Sequence, residues 1–183
     1  MNKYTIYFDV QELYYLPQYL PVYQQLQVSE FFNCKFVFHR GKFDEVIEKI
    51  IENKKLPFAW VENKEDALNT YLEEKPNWIF LGNTFPKLDL IHYHSKTVQL
   101  GHGVGPKKSY YSKSDTSTTV RFVESEYRLK RLEEMYPNDR FENVGFCKMD
   151  PIINGEEKGI NFSKLGLNSS KKTILYAPTF YPS

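Results

Sequence analysis

Apolar positions along this chain recur with two different periods, and the switching between them predicts an α/β fold. Short β-branched and aromatic runs at 4–10, 34–39, 58–61, 78–82, 96–100, 121–124 and 141–145 predict seven strands. A Leu-, Tyr- and Gln-rich stretch reaching Gln27 predicts helix, interrupted or restarted at Pro17 and Pro21. Its tyrosines either pack on the sheet or form an exposed aromatic face. Val46, Ile47, Ile50 and Ile51 share one helical face behind Asp44, a candidate cap. Ala67, Leu68, Tyr71 and Leu72 make a second stripe, capped by Asn63 and ended by Pro76. Residues 85–92 predict a short helical connection. Behind a Ser125 cap, Leu129, Leu132 and Met135 form the inward face of a helix over 126–136, with Arg128, Lys130 and Arg131 facing out. Asp150-Pro151 reads as a helix start, 161–167 as a short helix stopped by Gly166, and 171–179 as a further strand. Residues 109–119 have no period and predict a loop.

Strands alternating with helices imply a mainly parallel, doubly wound Rossmann-like sheet, in which ligands sit beyond the carboxyl ends of strands. His102, Ser125 and Asp150 each follow a predicted strand and can share that edge. A length of 183 residues gives room for one ordinary domain and little more, and 41% hydrophobic with 16% aromatic residues excludes a disordered chain. The net charge of +1 supplies no global field for nucleic acid, so any anion site is local and no nucleic-acid partner is expected. Cys34 and Cys147 are too few for a structural zinc site or a secreted disulfide framework and read as buried thiols. With no signal-peptide pattern and no apolar run of about 18 residues, a cytoplasmic chain without a spanning helix is expected.

Chemistry concentrates in Leu100-Gly101-His102-Gly103-Val104-Gly105-Pro106-Lys107-Lys108, where an apolar run ends in glycines, an imidazole and two ammonium groups. The spacing fits neither the Walker loop nor the dinucleotide fingerprint. A histidine at a strand's carboxyl end can serve as general base; the plainer reading is a loop histidine bonded to a nearby carbonyl. Gly103 and Gly105 allow close backbone approach to a substrate, while Lys107 and Lys108 are either phosphate contacts or solvated charges. Ser125 and Asp150 border the edge as substrate contacts or simply as helix caps. His92 and His94 lack a third metal ligand, so neither a metal nor another cofactor is expected, and His39 reads as an ordinary strand-end residue.

Three segments together resemble the CDP-glycerol:poly(glycerol phosphate) glycerophosphotransferases of teichoic acid and capsule polymer synthesis. The first is 100–108, similar to that family's His-Gly-Thr-Pro-x-Lys-Lys loop. The second joins Phe122-Val123-Glu124-Ser125-Glu126-Tyr127 to Val144-Gly145-Phe146-Cys147-Lys148-Met149-Asp150, and the third runs from Leu165-Gly166-Leu167 through Lys172-Thr173-Ile174-Leu175-Tyr176-Ala177-Pro178-Thr179. The chain departs from the pattern at Val104-Gly105-Pro106, where the family has Thr-Pro, and at Cys147-Lys148, where it has Pro-Arg.

The resemblance implies the N-terminal portion of a two-domain GT-B transferase: an acceptor-side domain at 1–155, a connection at 156–171, and at 172–183 the first strand of a nucleotide-binding domain continuing beyond it. It implies transfer of a polyol phosphate, glycerol phosphate first, from a CDP-polyol donor to a hydroxyl of a polyol-phosphate polymer or lipid-linked acceptor, with His102 as base. Peripheral contact with the inner membrane face follows from such acceptors. Two other functions remain open, a GT-B glycosyltransferase or sugar-nucleotide epimerase and a non-catalytic domain binding an anionic polymer.

Overall fold

The computed structural model describes residues 3–104, 107–157, 159, 161–168 and 170–177. Seven strands are present among them: β1 Tyr4–Val10, β2 Phe32–His39, β3 Phe58–Val61, β4 Trp78–Leu81, β5 Lys96–Gln99, β6 Val120–Val123 and β7 Phe141–Asn143. They form one wholly parallel sheet in the order β3-β2-β1-β4-β5-β6-β7. That order runs outward in both directions from the β1/β4 junction, where Asp9 stands opposite Leu81. The fold is therefore α/β and Rossmann-like, with a crevice expected where the order reverses.

Helices cover both faces. Ile6, Phe8 and Val10 of β1, with Phe36, Phe38, Phe80 and Val98, pack against Leu16, Tyr19 and Tyr23 of α1 (Leu16–Gln27) and Ile47 and Ile51 of α2 (Asp44–Lys54). The opposite side chains Tyr7, Val37, Ile79 and Leu81 pack against Ala67, Leu68 and Tyr71 of α3 (Lys64–Glu74) and Leu88 and Ile91 of α4 (Leu88–Ile91). The period-2 alternation within each strand thus fills two cores at once, as parallel strands require. A third cluster joins Val123 and Phe141 to Leu132 of α5 (Glu126–Met135).

The tyrosines of the first helical segment divide. Tyr15, Tyr19 and Tyr23 are buried, while Tyr14 is half exposed. Pro17 sits in the first turn of α1, where its missing N–H costs nothing, and Pro21 lies inside the helix, which continues through it. Asn63 caps α3 as expected, accepting from the Glu65 and Asp66 N–H groups at 2.9 and 3.0 Å. Asp44 does not cap α2: Phe43 holds that position, and the Asp44 carboxylate accepts instead from the Gly41 N–H at 2.8 Å. Cys34 is a buried thiol; Cys147 is only partly so, with its Sγ 3.2 Å from the Gln18 carbonyl.

His39 is more than an ordinary strand end. Asp9 is fully buried, and its Oδ1 lies 2.7 Å from both His39 Nε2 and the Tyr71 hydroxyl; Gln11 Nε2 donates to Oδ2 at 2.6 Å. The Tyr19 hydroxyl reaches the Asp9 carbonyl at 3.1 Å. This network locks β1 to β2 and to both helical layers, and a buried carboxylate is tolerable only with such partners.

The chain divides into two compact units, residues 1–150 and 151–183. Asp150 is the first residue of α6 (Asp150–Ile153), one position inside the cap expected for it. In the second unit, Asn161 caps the 3-10 turn Phe162–Leu165, and Gly166 ends it at φ 71°. The strand expected over 171–179 is not formed: residues 172–177 have no regular structure, since an extended segment becomes a strand only by pairing with a neighbour. Residues 178 and 179 lie outside the described residues.

Candidate functional site

A cleft of about 180 Å³ opens at the carboxyl ends of β4, β5 and β6, beside the 3-10 turn Leu13–Tyr15 that follows β1. Its walls include Tyr14, Gln18, Asn83, His102, Tyr110 and Arg128. This is the switch-point crevice that the strand order predicts.

His102 reaches the cleft because β5 ends at Gln99 and Gly101 turns the chain with φ +75°, a conformation that L side chains rarely adopt. The imidazole then lies on the Tyr15 ring, centroids 5.1 Å apart and planes 23° apart, with Tyr14 and Tyr110 edge-on at 5.2 and 5.9 Å. Nδ1 is 2.8 Å from the Gly82 carbonyl oxygen. That carbonyl can only accept, so it selects the tautomer with the proton on Nδ1 and leaves the lone pair on Nε2. The bond expected of a plain loop histidine is present, and it is also the bond that orients a base. Burial raises the pKa of the supporting Tyr15 phenol, with Tyr14 adding to the effect, so Tyr15 stays protonated.

Gly82 supplies more than its carbonyl. A Cβ there would stand 2.5 Å from the Tyr15 ring, so only glycine lets β4 end against the ring that supports His102. A Cβ at Gly103 would meet only the Tyr110 hydroxyl this closely, at 2.7 Å, and that tip of a side chain can shift.

The other expected residues are placed differently. Ser125 is the α5 cap, its Oγ accepting from the Arg128 N–H at 3.3 Å, and that commits it to the helix. Lys107 is exposed, and Lys108 is exposed beside a neighbouring hollow of about 610 Å³ that it lines with Tyr111, Tyr127 and Arg131. Asp150 is exposed and does not line the His102 cleft. Gly105 lies outside the described residues. The structure therefore gathers His102 and Gly103 in one cleft and puts the lysines, Ser125 and Asp150 elsewhere.

The cations of the cleft are arginines. Arg128 is not outward-facing: it is 7% exposed, its Nε bonds Glu124 Oε1 at 2.9 Å, and its guanidinium lies 5.3 and 5.4 Å from the Tyr110 and Tyr111 rings. Arg121 donates to the Ser112 carbonyl at 2.7 Å and to the Tyr110 carbonyl. Burial, with Arg128 nearby, lowers its pKa. The two side chains hold the 110–112 segment over the cleft. Glu124 and Arg128, four apart across a helix start, were the available sequence signal, because an i,i+4 pair can draw an arginine inward.

Among the described residues, no three His, Cys, Asp or Glu side chains are grouped to hold a metal. His92 Nε2 is instead 2.7 Å from Thr97 Oγ1, and burial lowers its pKa. No helix among the described residues is long and apolar enough to cross a membrane.

No protein-family model matches this chain, and no curated protein matches its sequence. Solved structures do match its fold. A Listeria monocytogenes protein assigned as a UDP-N-acetylglucosamine 2-epimerase superposes with TM-score 0.60 at 12% identity, over 84% of this chain and 48% of its own. The UDP-GlcNAc 2-epimerase of Neisseria meningitidis, solved with UDP-GlcNAc bound, gives TM-score 0.54 at 12% identity over 91% and 51%. The chain spans about half the length of each. At this identity the likeness shows the fold, a Rossmann-like domain of the kind these GT-B-like proteins contain.

Proposed function

We propose that this chain is the proton-transfer domain of an enzyme of GT-B architecture acting on a nucleotide-diphosphate-linked substrate, with His102 as general base. The observation that carries the proposal is the His102 geometry: Nδ1 held on the Gly82 carbonyl, the ring stacked on Tyr15, and the chain turned at Gly101 into a switch-point cleft. A fixed imidazole with its lone pair on Nε2 is ready to take a proton, an effect typically worth about 10²–10⁴ in rate.

Sugar-nucleotide chemistry, as epimerase or glycosyltransferase, is the reading favoured by the fold neighbours, one of which holds UDP-GlcNAc. A second reading is favoured by the three motif segments that resemble the glycerophosphotransferases, and in particular by Gly101-His102-Gly103 with Lys107-Lys108 after it. In that reaction an acceptor hydroxyl gives its proton to Nε2 as its oxygen bonds to the β-phosphorus of a CDP-polyol. The bond from that phosphorus to the CMP oxygen breaks, and CMP leaves. Positioning and charge neutralisation supply most of the catalysis in such a transfer. A lipid-linked acceptor would then bring the protein to the inner membrane face.

Incubating the native-length protein with UDP-GlcNAc, CDP-glycerol and CDP-ribitol in turn separates the readings. Conversion of the UDP-sugar supports the first and CMP release the second. Retention of an anionic polymer with no turnover of any donor would replace both with a binding role.

A further inference from the structure

The hollow of about 610 Å³ beside Lys108 adjoins the His102 cleft of about 180 Å³, because Glu124 and Arg128 line both. The two tyrosines of the covering segment divide between them: Tyr110 lines the cleft and Tyr111 the hollow, with the Arg128 guanidinium 5.3 and 5.4 Å from their rings. The Tyr136 hydroxyl donates to the Tyr111 carbonyl at 2.8 Å and holds that wall in place. The remaining groups are open to a ligand. Tyr127 is 75% exposed, the Arg131 side chain 58% and Met135 43%, and Lys108 is exposed. Among the described residues that line the hollow, Lys108, Arg128 and Arg131 are cations and Glu124 is the one acid, held by Arg128 at 2.9 Å. Arg131 stands 3.7 Å from Glu134, an exposed pair of the kind worth little, so it can turn to an anion at small cost.

We propose that the hollow seats an anionic acceptor: a chain of polyhydroxy units joined by phosphate lies on the Tyr111 and Tyr127 rings, its phosphates against Lys108 and Arg131, and its terminal hydroxyl enters the cleft at His102. The rings and Met135 offer apolar faces to the carbon side of such units, and the cations match their charge. Size favours a chain over a single unit, since the cleft holds one sugar- or polyol-sized group and the hollow has the volume of a full ligand site. The inference rests on the reading of His102 as base and adds which molecule that base deprotonates.

Calorimetric titration of the native-length protein tests this in the wild type, Tyr127→Ala and Arg131→Gln. The ligands are short oligomers of glycerol phosphate and of N-acetylglucosamine phosphate, their single-unit phosphates, and UMP and CMP. Both substituted side chains are exposed, so neither change empties a core. The wild type should bind one oligomer about tenfold or more tightly than its single unit, and the tighter of the two oligomers identifies the polyol or sugar source. Each variant should weaken that oligomer about three- to tenfold, and Arg131→Gln should also flatten its dependence on salt.

A wild type that binds the oligomers no more tightly than the single units would overturn the proposal, as would variants that bind them with wild-type affinity. So would variants that weaken UMP or CMP instead, since the hollow would then belong to the nucleotide. Donor turnover that still needs His102, in a protein whose oligomer affinity ignores both substitutions, removes the role of the hollow and leaves the base standing. Oligomer binding weakened by both substitutions, in a protein whose turnover is unchanged by His102→Ala, does the reverse.

Discussion

At the scale of single residues, the site depends on one imidazole being held on both sides, by the Gly82 carbonyl and by the Tyr15 ring. Gly82→Ala tests that support without touching His102. The added Cβ, 2.5 Å from the Tyr15 ring, forces a buried side chain to move, an overpacking that costs about 1–3 kcal/mol. The variant should melt several degrees lower and lose turnover out of proportion to the stability lost. Asp9→Ala makes a different prediction, because it leaves the buried Tyr71 hydroxyl and His39 without their shared acceptor. Leaving these buried groups unsatisfied should cost about 1–3 kcal/mol each, read from urea unfolding. His102 was legible in the sequence because glycines isolate it at the end of an apolar run. Arg128 was not: charge on a helix reads as solvated, and its burial depends on Glu124 beside it and on Tyr110 and Tyr111 from a stretch with no period.

At the scale of elements, periodicity was the dependable guide, while of the expected caps Asn63 and Ser125 held and Asp44 and Asp150 lie one position inside their helices. Asn63 and Ser125 begin α3 and α5 as their side-chain chemistry requires, and Ser125→Ala should destabilise the protein by about 1 kcal/mol in a denaturant titration. Boundaries held less well where neighbours decide them. Met135 of α5 shares the helical spacing of Leu132 yet is 43% exposed, because it lines the hollow beside Lys108 and Tyr111. The thiols report on packing in β2 and after β7. Burial pushes both Cys34 and Cys147 up from their ordinary value of 9.0 to about 11. Both should therefore react slowly with a disulfide reagent at pH 8 compared with free cysteine. The unfolded chain releases these protons near pH 9 and the folded chain only near pH 11, so their contribution is full below pH 9 and lost as pH rises through that window. Denaturation midpoints measured across it should fall with rising pH.

At the scale of the whole molecule, the alternation of strand and helix was enough to predict a parallel sheet, and the observed order places its reversal between β1 and β4. The sequence could not supply that order, because pairing joins segments far apart in the chain and each strand looks alike to its possible neighbours. Once the order is known, the cleft follows: β4 brings Gly82, β5 brings His102, and the chain after β1 brings Tyr14, Tyr15 and Gln18. The lysines that seemed the natural phosphate contacts stand outside that convergence, and Arg121 of β6 and Arg128 of α5 stand inside it. The central claim is that His102 takes the substrate proton, and the direct test is the rate of His102→Ala against wild type on whichever nucleotide-linked donor the native-length protein consumes. A fall of at least about 10²-fold with KM little changed is the expected result. An unchanged rate would contradict the account and leave the cleft without its base.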